Sequence, residues 1–253
     1  MMTGGTEDRT ARLAPVLPGG GRPWELPRVE DEELLDQGRG TPADVRANLA
    51  EMWRINRVLG GMHAVTAHLY PRLIASGGGT VADLGAGSAH LTAAVAQWAR
   101  SRGVGAQVIG VDWASRNLTV ARERNVPAPQ IALLQADAAR LPFRAGSVDF
   151  VMSALFMHHF TPDQLVALLR DAYACTRRTL IMSDLVRGWL PLMAFRLVQP
   201  VFARHYLTRH DGALSVRRAY TPAELREIAA RAGLVNARVY THWPWRMTLV
   251  VDR

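Results

Sequence analysis

The chain has 253 residues, of which 49% are hydrophobic and 21% charged. That composition excludes a disordered chain, and the length suffices for one well-filled core with an added cap. The formal net charge is +8 and the pI near 10.8, but the basic residues, mostly arginine, stand in ones and twos, which gives no strong nucleic-acid signal.

Cys175 stands alone, so no internal disulfide and no cysteine-based metal site can form. The opening residues hold no apolar run of the kind a secretory signal needs. The most apolar later stretch, "GWLPLMAFRLVQPVF", is interrupted by Arg196 and two prolines, and it falls short of the roughly 20 apolar residues of a membrane span. A cytoplasmic location is expected, with at most weak contact to a membrane surface.

Residues 1–28, rich in glycine, proline and charge, are expected to be loose. Thr41, Pro42 and Asp44 then suit the cap and first turn of a helix. Val45, Leu49, Met52, Ile55 and Leu59 follow at helical spacing, and Gly60-Gly61 stops the pattern. A second helix runs through "MHAVTAHLYPRLIAS", with Gly77-Gly78-Gly79 expected to end it. Residues 29–76 are thus read as a helical N-terminal extension or lid, ahead of a domain over 77–253.

From residue 80 short apolar runs alternate with helical ones. "TVADLG", "AQVIGVDW", "QIALLQAD", "SVDFVMSA" and "RTLIMSD" read as strands, with helices between most of them. The strands are continuously apolar rather than alternating, as in a parallel sheet covered on both faces. The beat is that of an α/β, doubly wound, Rossmann-like fold. It breaks over residues 186–220, which read as an inserted helical cap with an apolar underside and a solvated top. A Thr-Pro capped helix, "TPAELREIAARAGL", and two closing strands around Pro244 complete the chain.

Ligands of an open parallel sheet sit beyond the carboxyl ends of its strands. Asp83, Gly85, Ala86 and Gly87 close the first such strand. The two glycines permit a tight turn and a close ligand, and the helix behind them aims free N–H groups at it. The dinucleotide fingerprint lacks its last glycine here, and the acid before the first glycine would repel a pyrophosphate while welcoming an ammonium. Asp112 ends the second strand, where a carboxylate can accept ribose hydroxyls. Asp137 ends the third, within reach of an adenine amine. An ammonium site, a ribose site and an adenine site in that order fit S-adenosylmethionine.

The motifs together resemble the class I S-adenosylmethionine-dependent methyltransferases of small-molecule type. "VADLGAGSAHL" is similar to their glycine motif, with Ala89 in place of the usual third glycine. "VIGVDWA" is similar to the ribose motif, "QADAARLPF" to the adenine motif, and "SVDFVMSALFMHHF" to the segment under the sulfonium. The resemblance covers roughly residues 62–253. It implies a seven-stranded, mostly parallel sheet in the order 3-2-1-4-5-7-6, with S-adenosylmethionine as cofactor and methyl transfer as activity. It also implies Trp113 packed on the adenine, with Ala138 and Ser153 among the cofactor-binding residues.

His158 and His159 follow the fourth strand beside the expected sulfonium. Either could serve as base toward a hydroxyl, or the pair could only shape the pocket. Met52, Ile55, Phe156, Phe195, Tyr206 and His210 are expected to contact the acceptor. There is no Asn-Pro-Pro-aromatic motif, no Pro-Cys nucleophile and no acid pair with asparagine for a metal-bound catechol, so no metal is expected. The expected acceptor is a small hydrophobic molecule, phenolic, polyketide-like or quinol-like, methylated on oxygen. RNA or protein methylation, and a non-catalytic cofactor-binding role, remain the alternatives. The sequence leaves the oligomeric state open.

Overall fold

The computed structural model describes residues 25–124 and 129–253. Most of the segment expected to be loose therefore lies outside the described residues. The part that is described is packed, with Leu26 buried.

Seven strands form one sheet: β1 (Gly78–Leu84), β2 (Gly105–Asp112), β3 (Ile131–Gln135), β4 (Val148–Ala154), β5 (Thr176–Leu185), β6 (Arg238–His242) and β7 (Arg246–Asp252). Their order is β3-β2-β1-β4-β5-β7-β6. The first five run parallel, and β7 pairs antiparallel with both β5 and β6. Burial along β4 and β7 is continuous rather than alternating, because helices cover both faces.

On one face, α5 (Pro162–Cys175) and α8 (Pro222–Arg231) pack through Leu165, Leu169, Leu225 and Ile228. On the other, α2 (Gly61–Ala75) and α3 (His90–Ser101) pack through Leu69, Leu73, Leu91 and Val95 against Val81, Phe150 and Ile181. α4 (Ser115–Glu123) follows β2. Gly78 and Gly79 belong to β1 rather than to the end of α2. A side chain at Gly78 would strike the Gly105 carbonyl oxygen at 2.0 Å, so the glycine lets β1 and β2 begin in register.

α1 (Pro42–Val58) starts at a full Thr41–Asp44 capping box. It lies over the carboxyl end of the sheet, where it meets the inserted segment, α6 (Trp189–Phe202) and α7 (Tyr206–Arg218). Polar contacts join them. Glu51 accepts the N–H groups of Arg204 and His205 at the start of α7, and Asn48 donates to Thr208. The inserted segment has the expected apolar underside, with Leu192, Leu207 and Val216 buried, but its outer side departs from the expected polar top. Trp189, Leu190, Met193, Leu197 and Val201 of α6 point to solvent, Leu197 being 81% exposed. Periodicity marks a stripe but not which way it faces.

Candidate active site

The glycine turn is built as its sequence requires. Gly85 has φ +70° and Gly87 φ +57°, a region where a side chain is strained. A Cβ on Gly85 would also lie 2.3 Å from the Phe156 ring. Ala89 takes the third position at φ 55°, so the left-handed turn into α3 forms without a third glycine.

Asp112 holds this turn in place. One carboxylate oxygen accepts from the Gly87 N–H at 2.8 Å, and the other from the Ala114 N–H at 2.9 Å and the Asn117 amide at 3.2 Å. Burial raises its pKa against these donors. Asp83 accepts from the Thr92 hydroxyl at 2.7 Å. Burial pushes Asp83 up to about 7, with the nearby Asp112 adding to the rise.

These groups open on a cavity of about 420 Å³ beyond the ends of β1, β2, β3 and β4. Its roof is α1, which supplies Leu49, Met52, Trp53 and Asn56. Trp53 stacks on His90 with ring centroids 5.0 Å apart, and burial drags His90 down to about 4. The side-chain oxygens of Asn48, Asn56 and Asn117 are buried without a partner, and all three residues line this cavity. Unpaired buried acceptors of this kind call for donors from a polar ligand.

The His158-His159 turn forms the far wall. It is clamped through its backbone: Arg218 donates to the carbonyls of His158 and His159, while Arg28 and Tyr220 donate to that of Phe160. The two rings have different surroundings. His158 is 1% exposed. Its Nδ1 lies 2.8 Å from Asp184 and its Nε2 3.4 Å from Glu33. Burial opposes charge on this ring, but the two carboxylates outweigh it and raise His158 to about 10. Glu33, against its own burial, is held down to about 2 by the two histidines and Ser215. His158 is therefore a protonated strut between two acids, with no lone pair to offer as a base.

His159 is half-buried, and its Nδ1–H donates to Asp36 at 2.7 Å. That bond orients the ring within the cavity wall and leaves Nε2 outside the pair. Glu33, His158 and His159 bring three ligand-type atoms within 4.8 Å of one another. A cation there would have to displace the proton that Asp184 and Glu33 stabilise on His158.

Of the residues singled out in the sequence, Asp83, Gly85, Ala86, Gly87, Asp112, Trp113, Asp137, Ala138, Met52, Phe156, His158 and His159 line this one cavity. Asp137 also caps the next turn through the Ala139 N–H. Others are placed elsewhere. Ser153 is fully buried and donates to the Met182 sulfur, away from the cavity. Ile55 and Phe195 line a second, separate cavity. Tyr206 is half-exposed and tilted against His205, and His210 is half-exposed and pairs with the buried Asp211 of the cavity wall; neither lines either of these two cavities itself. Glu33, Asp36, Trp53, Asn56 and Asp184 were not singled out in the sequence. Asp36 and Glu33 sit in the charge run "EDEELLD", which reads as solvated surface.

Residues 81–179 match a family model described as a methyltransferase domain, the stretch that spans the glycine turn, Asp112, Asp137 and the paired histidines. That stretch, less than half of the chain, is similar to a methyltransferase domain, and its motifs resemble those of the class I S-adenosylmethionine-dependent methyltransferases. The chain is 25% identical over 154 residues to the demethylmenaquinone methyltransferase of Staphylococcus aureus (strain JH9), a match covering 56% of this chain and 64% of that enzyme. The match thus spans less than two thirds of that relative's length.

Among solved structures, an S-adenosylmethionine-dependent methyltransferase from Aquifex aeolicus shares the fold at 14% identity and TM-score 0.57, over 85% of this chain and 99% of that one. Magnesium protoporphyrin IX methyltransferase from Synechocystis PCC 6803, with bound S-adenosylhomocysteine, does so at 20% identity and TM-score 0.54, over 82% and 94%. At these identities the likeness is one of fold. No helix among the described residues is long and apolar enough to cross a membrane.

Proposed function

We propose that this chain transfers a methyl group from S-adenosylmethionine to a hydroxyl of a small hydrophobic acceptor, phenolic, polyketide-like or quinol-like, with His159 as the base. Residues 29–76 and 186–220 act in this reading as the lid and cap of the site. The relatives support the class of acceptor: one is named for a quinone precursor and another for a porphyrin.

The donor set fits the cofactor. The Asp83 carboxylate suits its ammonium, Asp112 its ribose hydroxyls, and the Asp137–Ala138 edge its adenine. The three unpaired asparagine oxygens can accept from it. S-adenosylmethionine supplies an electrophilic methyl on a sulfonium, and such a displacement asks the protein mainly for alignment and a dry site. α1 and Trp53 exclude water from above. His159 takes the hydroxyl proton as the oxygen becomes the nucleophile, and Asp36 keeps the ring in the tautomer that can accept it.

The observation that carries the reading is the 2.7 Å bond between His159 and Asp36 in the wall of the cavity that Asp83 and Asp112 also line. Titration calorimetry with S-adenosylmethionine, followed by transfer of labelled methyl to a panel of phenols and quinols, tests it. Cofactor binding with transfer to oxygen is the expected result. Absence of binding, or transfer only to RNA or protein, would refute it.

A further inference from the structure

Beside the cofactor cleft lies a second cavity of about 100 Å³, where α1, α6, α7 and the β6–β7 turn converge. Ile55, Leu59, Phe195, Val198 and Trp245 give it an apolar wall. Among the described residues, one cationic side chain lines it. Arg246, the first residue of β7, is 2% exposed. Its Nε donates to the Leu59 carbonyl at 3.1 Å, while its Nη1 is buried with no partner.

A guanidinium without a counter-ion is costly to bury. The acid that acts on it most, Asp184, is already engaged by the His158 ring and by the N–H groups of His158 and Leu185. Burial lowers Arg246 to about 10, which still leaves it charged at neutral pH. Holding the Leu59 carbonyl needs only a neutral N–H, so that bond does not account for the charge. A ligand that brings an anion does.

The cavity is placed to serve the reaction. Met52 and Leu155 line it and the cofactor cleft alike, so they form the partition between the two. Leu155 is held at φ +57°, a strained setting for a leucine that puts its side chain at this wall.

We propose that this cavity binds an apolar carboxylate, with the carboxylate paired to Arg246 and the hydrocarbon against Phe195, Val198 and Trp245. Taking the cleft as a methyl-transfer site, the carboxylate is the end of the acceptor remote from the methylated oxygen.

Hexanoate and 1-hexanol are the probes, titrated calorimetrically into the whole protein, with S-adenosylmethionine titrated in parallel. Hexanoate should bind at least about tenfold tighter than the alcohol, as a charge-assisted pair requires. Arg246→Gln, which keeps an N–H for Leu59, should erase that difference, and Arg246→Lys should restore part of it. Melting curves and the cofactor titration report whether each variant is folded. Equal binding of the two probes by the wild-type protein, or binding of neither, overturns the proposal without recourse to any variant. Hexanoate should also compete with the acceptor in the methyl-transfer assay; tight binding without competition overturns the assignment to the acceptor. Hexanoate binding in a protein that fails to bind S-adenosylmethionine would leave this cavity standing and remove the reading of the cleft.

Discussion

His159 Nδ1 lies 2.7 Å from Asp36 Oδ2, a bond that joins the turn after β4 to the segment ahead of α1. This strap, residues 25–40, thus brings a carboxylate to the ring that the functional proposal makes a base. In that proposal Asp36 acts through His159 and is a positioning residue. Asp36→Asn should lower kcat about tenfold to a hundredfold, in the lower part of the range for general-base effects, and leave the Kd for S-adenosylmethionine unchanged. Asp36→Glu should recover part of the loss. A variant with unaltered kcat would show that the bond is structural only.

His158 is predicted to matter for stability. Its folded-state pKa, about 10, stands above its ordinary value of 6.5. The stabilisation from protonating it is fully present below pH 6.5 and is lost as the pH rises through 10. His158→Ala should cost about 3–5 kcal/mol at pH 6, because Glu33 and Asp184 would be left buried without their cation. The gap to wild type should narrow toward pH 10. Denaturant unfolding at both pH values measures it, and a pH-independent gap would contradict the charge-paired arrangement.

Asp83 couples the cofactor to pH. Its carboxyl is pushed up to about 7 in the free protein, and the ammonium it is proposed to meet requires the ionised form. Affinity for S-adenosylmethionine should fall by up to about tenfold per pH unit below 7 and level off above it. Asp83→Asn should bind more weakly and lose this dependence. Calorimetry between pH 5 and 8 decides, and a flat wild-type profile would rule out the ammonium assignment.

Asp112 anchors the glycine turn and is proposed to hold the ribose, so its variants should separate the two roles. Asp112→Asn keeps an oxygen for the Gly87 N–H and should weaken the cofactor less than Asp112→Ala. The alanine variant loses both the ribose acceptor and the anchor of the turn, a loss of about 1.5–3 kcal/mol for each charge-assisted bond. Equal affinities for the two variants would mean that the anchor contributes nothing.

The sheet was legible because parallel strands covered on both faces must be apolar throughout, and because Thr41, Thr161 and Thr221 announce three helices with full capping boxes. The acidic wall of the cavity was legible because strand ends place Asp83, Asp112 and Asp137 by topology alone. The strap was not. Asp36 meets a partner 123 residues away and Glu33 one 182 residues away, and nothing local in a run of acids records such pairing. The division of labour between His158 and His159 was hidden for the same reason, since Asp184 and Glu33 single out one ring of two adjacent ones. The outer side of the cap misled because prolines and aromatics mark α6 as special, while Leu190 and Leu197 face outward and Leu192, Phe195 and Val198 face in.

Single-turnover transfer of labelled methyl by wild type and His159→Gln, at saturating S-adenosylmethionine and with the best phenolic acceptor, decides whether His159 is the base. A loss of about 10²–10⁴ in the rate of transfer is expected, with cofactor affinity within twofold of wild type. A His159→Gln enzyme that transfers methyl at the wild-type rate would contradict that role.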